Sequence, residues 1–388
     1  MKDIKEMKDI NEIKDMMRRV STRFCLALIG GLMIISSAAV AQKQEEMRFI
    51  QADSLMIVGK AFEQSIVKYG RLPKVLEGEF RKELISLGSN SSGLAVRFST
   101  NSTAISARWR VTNNTSFNHM ASTGIKGLDL YVLEGSKWMY VGTARPSGVE
   151  SFSVFIKNMT KQNREYIAYL PLYDGVESLE IGVDPEAEIA LPRNARLVKS
   201  VNSNKKSIIF YGTSITQGGC ASRPGMAYPA ILGRMMDRET INLGFSGNAR
   251  LDFAIAKAIN MVDAEAVVID CLPNTTTQMV KDSAYRFITH LAQAKPRTPI
   301  FMIENPNFPY LLLNETASAE QREENSAWRN LYAQLVSEGF DNIIYVRGDN
   351  LLGNDAEATV DGVHLTDLGF LRFSEALFGI ITDVVPLR

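Results

Sequence analysis

Five residues in this chain stand in settings that suit acyl transfer. Ser214 lies in Gly212-Thr213-Ser214-Ile215-Thr216, directly after the apolar run Ser207–Tyr211. A serine hydroxyl is a weak nucleophile until a neighbouring base takes its proton. His364 is the candidate base. Asp361 stands three residues earlier in Asp361-Gly362-Val363-His364, close enough to hold one imidazole nitrogen and leave the other for serine. Attack on an ester carbonyl creates an oxyanion, which needs donors already in place. The candidates are the Ser214 N–H, the Gly247 N–H in Asn242-Leu243-Gly244-Phe245-Ser246-Gly247-Asn248, and the Asn274 amide in Cys271-Leu272-Pro273-Asn274. Each alone has a plainer reading: a helix cap at Gly-Thr-Ser, a packed histidine, a turn glycine, a capping asparagine before Thr275-Thr276-Thr277. Together, and in this order, they describe a nucleophile, an acid and base, and an oxyanion hole. The chemistry so outlined requires no metal and no organic cofactor.

Residues this far apart must be brought together by the elements around them. Strand candidates at Ser207–Tyr211, Thr240–Leu243, Ala266–Asp270, Pro299–Ile303 and Asn342–Val346 alternate with amphipathic runs at Ala227–Arg238, Asp252–Asn260, Thr277–Gln293 and Ser318–Glu338. A last helix is expected at Thr366–Thr382. Apolar strands with helical crossovers predict a parallel sheet covered on both faces. Ligands in such sheets sit at the carboxyl ends of the strands. Ser214, Gly247 and Asn274 each follow a predicted strand, so their loops share one edge. Upstream, from about Leu84 to Leu197, short alternating segments separated by turn residues predict a β-sandwich. Met47 to about Val67 reads as a connecting segment with some helical character.

The 388 residues suffice for two domains. Apolar residues make up 45% and charged residues 22%, as in a globular protein. Lys+Arg and Asp+Glu both number 43, so the formal net charge is zero and gives no support for a nucleic-acid partner or an anionic membrane surface. Arg18, Arg19 and Arg23 precede an apolar run from Phe24 to Ile35, and Ala39-Val40-Ala41 offers a cleavage site before Gln42. Residues 1–41 therefore read as a secretory signal peptide, with translation starting at Met16 or Met17. The mature protein is expected to be secreted or periplasmic and free of the membrane. Of three cysteines, Cys25 lies in the signal; Cys220 and Cys271 could pair or remain separate buried thiols.

The four blocks resemble those of the SGNH hydrolases, also called the GDSL family of lipases and acylhydrolases. Ser214 stands at the GDS serine, Gly247 at the second-block glycine, Asn274 at the third-block asparagine, and Asp361 and His364 at the DxxH block. Thr213 replaces the usual Asp, and Leu272-Pro273 precede Asn274 where the family has GxND; neither change removes a reacting group. Gly127-Leu128-Asp129-Leu130-Tyr131 resembles the GxDLY motif of a β-domain that precedes such hydrolases in bacteria of the Bacteroides type. The resemblance implies a flavodoxin-like three-layer α/β/α hydrolase domain at 203–388 behind an all-β, jelly-roll-like sandwich at 42–202. It also implies a carboxylic ester hydrolase associated with carbohydrate O-deacetylation. The expected substrate is an acetylated glycan or other small ester. The alternatives are a lipase- or thioesterase-type acylhydrolase and a glycan-binding protein with an idle hydrolase domain. Candidate substrate contacts are Gln217 in the polar loop after the nucleophile, His119 in a loop before the GLDLY strand, and Asn305 after a strand on the same edge.

Overall fold

The computed structural model describes residues 47–192 and 206–387. The expected signal peptide, both candidate starts and the boundary at 202/203 lie outside them. The compact unit Phe49–Arg388 carries nearly all of the architecture.

Ten strands form the first half: β1 (Arg48–Gln51), β2 (Met56–Val58), β3 (Ala95–Thr100), β4 (Ile105–Val111), β5 (Leu128–Glu134), β6 (Lys137–Ala144), β7 (Glu150–Ile156), β8 (Arg164–Tyr169), β9 (Val176–Val183) and β10 (Ile189–Ala190). They make one sheet of order β1-β9-β4-β7 and a second of order β10-β3-β8-β5-β6, with β2 paired to β3. The period of two decides what faces inward. Ile105, Ala107, Trp109 and Val111 of β4 enter a core shared with Val96 and Phe98 of β3 and Leu179 and Ile181 of β9. The intervening Arg108 and Arg110 turn out to pair with Glu180 and with Glu150 and Glu177. Of the helical character expected in Met47–Val67, one 3-10 turn at Ala52–Ser54 forms. Met56, Ile57 and Val58 instead pair with Arg97, Val96 and Ala95, so sheet pairing overrides local preference there. A short helix, α1 (Lys82–Gly88), opens the region expected to be wholly β, and a single turn, α2 (Ser122–Ile125), precedes β5.

The second half alternates as expected. β11 (Ser207–Gly212), β12 (Thr240–Gly244), β13 (Ala264–Asp270), β14 (Ile300–Ile303) and β15 (Ile343–Val346) form a parallel sheet of order β12-β11-β13-β14-β15. This is the flavodoxin-like order. Its helices are α3 (Ser214–Gln217), α4 (Tyr228–Met236), α5 (Phe253–Asn260), α6 (Tyr285–Ala294), α7 (Glu315–Ser337) and α8 (Asp367–Thr382). Ile209, Tyr211, Val267 and Ile269 bury against α5, α6 and Trp328 of α7. Ile208, Phe210, Ala266 and Val268 bury against Tyr228 and Leu232 of α4 and Phe370 and Phe373 of α8. Burying both strand faces removes the alternation that marks the sandwich strands.

The halves share apolar contacts. Tyr131, Ile167 and Tyr169 pack with Ala230 of α4, and the Arg234 guanidinium lies 4.2 Å from the Tyr131 ring centroid. Leu172 and Tyr173 join the cluster that holds α4 and α8. Among the described residues no helix is long and apolar enough to cross a membrane.

Candidate active site

β11 ends at Gly212, where the chain must turn sharply under its neighbours. A Cβ there would lie 2.0 Å from Thr216 Oγ1 and 2.5 Å from the Asp270 carbonyl oxygen. Thr213 then caps α3: its hydroxyl accepts the Ile215 N–H at 3.2 Å. This is a side-chain oxygen capping the helix, and it accounts for Thr standing where the family motif has Asp. Ser214 is the first helical residue, so its own N–H has no partner within the helix.

His364 reaches Ser214 from the loop before α8. Its Nε2 lies 2.9 Å from Ser214 Oγ, and its Nδ1 lies 2.7 Å from Asp361 Oδ2. Gly362 at φ 93° lets the Asp361 carboxylate fold back over the turn. Asp361 Oδ1 then accepts the His364 N–H at 2.8 Å and the Val363 N–H at 3.1 Å. Burial pushes the Asp361 carboxyl up, but the His364 ring and these two N–H groups outweigh it and hold it below its ordinary value. The structure thus brings Ser214, His364 and Asp361 into one hydrogen-bonded chain.

The oxyanion-hole candidates occupy adjoining loops. Gly247 sits at φ 67° in a turn closed by Asn248 N–H to the Phe245 carbonyl at 2.8 Å. Asn274 closes a short turn after β13, and its Oδ1 accepts the Ala249 N–H at 3.3 Å. That bond ties Asn274 to the Gly247 loop and leaves its amide nitrogen as the free end.

His119, a candidate from the first half, stands beside His364, the ring centroids 5.6 Å apart. Gln217 and Asn305 do not face the site. Gln217 is fully buried, its Nε2 donating to the Leu172 carbonyl and its Oε1 accepting the Ser246 N–H, both at 3.0 Å. Asn305 is buried against α7, donating from Nδ2 to Glu324 at 3.0 Å and from its N–H to Asn325 at 3.0 Å. Both are struts. Cys220 and Cys271 are buried free thiols. Burial and the Asp361 charge push Cys220 up to about 12, so it stays protonated beside the site.

Four supports were not anticipated from sequence. Tyr173 O–H donates to the Ser214 carbonyl at 3.2 Å. Asp270, at the end of β13, accepts Thr216 Oγ1 at 3.0 Å and Tyr228 O–H at 3.2 Å beneath α3. Arg71, buried and lowered by that burial to about 9, donates to the Gly244 and Asn242 carbonyls at 2.6 and 3.2 Å. Asp129 of the GLDLY strand accepts the Gly225 N–H at 3.0 Å and Arg223 Nη1 at 2.7 Å, and Arg223 Nη1 also donates to the Tyr131 hydroxyl oxygen. The sequence carries a signal only for Asp129, through its motif.

One group of side chains has the donor set of a metal site. His119, Cys220, Asp361 and His364 each present a ligand atom, all within 4.8 Å of one another. Two imidazoles, a thiol and a carboxylate suit zinc. An ion there would take His364 and Asp361 out of their bonds to Ser214 and to each other.

The GDSL-like lipase/acylhydrolase family model matches residues 205–382. The GxDLY model, the N-terminus of SGNH-hydrolase-type esterases, matches residues 47–189. A GDSL-like lipase from Bacteroides ovatus is 35% identical, covers 88% of this chain and 99% of its own, and superposes with a TM-score of 0.83. This chain belongs to the GDSL family. Two more distant structures share the fold of this GDSL protein. A salicylyl-acyltransferase from a tetracycline biosynthetic pathway is 16% identical over 88% of this chain and 99% of its own, with a TM-score of 0.69. A family two carbohydrate esterase from Clostridium thermocellum, in complex with cellohexaose, is 12% identical over 75% and 92%, with a TM-score of 0.54. No curated protein matches the chain.

Proposed function

We propose that this GDSL-family protein is a serine esterase that removes short acyl groups, acetyl above all, from the hydroxyls of a glycan outside the cytoplasm. The observation that carries the reading is the 2.9 Å and 2.7 Å chain from Ser214 through His364 to Asp361. Ser214 Oγ attacks the ester carbonyl while His364 Nε2 takes its proton. Asp361 holds the ring with Nδ1 toward itself and stabilises the imidazolium. The N–H groups of Ser214 and Gly247 and the Asn274 amide receive the oxyanion. The tetrahedral intermediate collapses, His364 gives its proton to the leaving alkoxide, and an acyl-serine remains. Water attacks that ester with His364 again as base, and the acid leaves.

Support for the acetyl-glycan part is of a different kind. It comes from the GxDLY-type first half, and from the fold shared with a carbohydrate esterase whose structure holds cellohexaose. The test begins with p-nitrophenyl acetate and laurate. Acetate should be the faster substrate, and Ser214→Ala should reduce its turnover by at least ~10³-fold. Mass spectrometry of acetylated polysaccharides after incubation should show loss of acetyl groups. Preference for laurate would replace this reading with a lipase, and undiminished turnover in S214A would remove the serine mechanism.

A further inference from the structure

An open cleft that the first half of the chain helps to build reaches Tyr173 and Ser246, two neighbours of the candidate site. Its volume is about 540 Å³, and its lining includes Asn113, Thr115, Phe117, Tyr173, Ser246 and Asn248. That size suits a small-molecule ligand of roughly 300–1,000 Å³. Two of these residues adjoin the candidate site. Tyr173 donates to the Ser214 carbonyl at 3.2 Å, and Ser246 immediately precedes Gly247.

The chemistry of the lining decides what fits. An acetyl group would leave most of this volume empty. A long acyl chain could lie along Leu87 and Phe117 but would also meet Lys82, Glu83, Asn90 and Asn113, where burial of unpaired polar atoms is costly. A sugar ring offers hydroxyls at its edge and an apolar C–H face. Phe117 supplies a surface for such a face. It is 42% exposed, and its ring meets Tyr173 edge-on at 5.8 Å and His119 at 6.0 Å between centroids.

The loop that carries Phe117 is fixed in register with the nucleophile. Asp174, fully buried, accepts the N–H groups of Asn113 at 2.9 Å and Thr115 at 2.8 Å. Its neighbour Tyr173 is the residue that holds the Ser214 carbonyl. One dipeptide therefore ties the loop from the sandwich to the strand-end serine.

We propose that this cleft is the leaving-group subsite, in which Phe117 stacks on the sugar ring that bears the ester. The proposal rests on the glycan-esterase reading and extends it to the alcohol side of the bond. Its test compares kcat/KM on O-acetylated xylo-, manno- and pectic oligosaccharides with kcat/KM on p-nitrophenyl acetate, in wild type, Phe117→Ala and Phe117→Trp. In F117A the oligosaccharide-to-aryl ratio should fall roughly three- to tenfold, mainly through KM, and F117W should restore it. An unchanged ratio in F117A, with oligosaccharides still deacetylated, overturns the subsite and leaves the esterase reading standing. Hydrolysis of the aryl ester, lost in S214A, without deacetylation of any oligosaccharide overturns both the subsite and the glycan substrate.

Discussion

His364 is shared between two possible uses. Its nitrogens are engaged by Ser214 and Asp361, yet the same ring belongs to the four-donor group with His119 and Cys220. A zinc ion seated there would displace the Nδ1 or Nε2 bond and disable the base. Added Zn²⁺ is therefore expected to inhibit ester hydrolysis, and excess EDTA should restore it. Cys220→Ser should weaken inhibition at least ~10-fold, measured against that variant's own zinc-free rate, because zinc binding would displace the Cys220 proton and the resulting thiolate is the strongest of the four ligands. Equal zinc sensitivity in both proteins would place the inhibitory ion elsewhere. At this scale the hydrogen-bonded chain of Ser214, His364 and Asp361 was legible because each block is short and carries its own chemistry within a few residues. Gln217 and Asn305 were read as rim residues because they follow strands on the active edge. Sequence position does not reveal that each carboxamide turns inward to satisfy buried partners, and buried polar groups demand such partners.

The loop between α3 and α4 joins three parts of the molecule. Thr123 of α2 donates to the Ser222 carbonyl at 2.6 Å, and Ser222 N–H donates to Asp367 of α8 at 2.9 Å. Arg223 and Gly225 bind Asp129 of β5. The loop is thus held from the sandwich on one side and from the helix after His364 on the other. This accounts for the GLDLY motif, whose aspartate is fully buried. Burial pushes the Asp129 carboxyl up while the Arg223 charge pulls against it. Asp129→Asn keeps the shape and removes the charge that Arg223 needs. Breaking a buried pair costs ~3–5 kcal/mol, and the partly exposed Arg223 places this one nearer ~2–4 kcal/mol. Urea denaturation should show that loss, and kcat should fall more than KM rises, since the loop positions Ser214. A wild-type midpoint in D129N would mean that the clamp carries no stability. The motif was visible as a strand, but not its task, because its partner Arg223 lies 94 residues away.

At the scale of the whole chain, the order of apolar runs was enough to anticipate a sandwich followed by a parallel sheet. The role of residues 47–90 was not. Their strands form by pairing with distant partners, β1 with β9 and β2 with β3, and Arg71 acts on the carbonyls of β12 more than 170 positions on. Stability against pH also belongs to the whole chain, and Asp270 should set much of it. Burial raises its carboxyl from 3.8 to about 7, with the Thr216 and Tyr228 hydroxyls opposing. The native state therefore retains a proton that the unfolded chain releases near pH 4. The contribution is complete below that value, falls as pH rises, and is lost above about pH 7. A shift of this size corresponds to on the order of 4 kcal/mol. Asp270→Asn removes the titration while its amide oxygen still accepts Thr216 and Tyr228. The variant should match wild type near pH 4 and exceed it in unfolding free energy at pH 8. Glu324, raised by burial to about 7 beside Asn305, acts in the same sense and should leave a smaller slope in the variant. Parallel stability curves for D270N and wild type between pH 4 and 8 would show that Asp270 is ionised at no cost, and that the tilt in stability arises elsewhere.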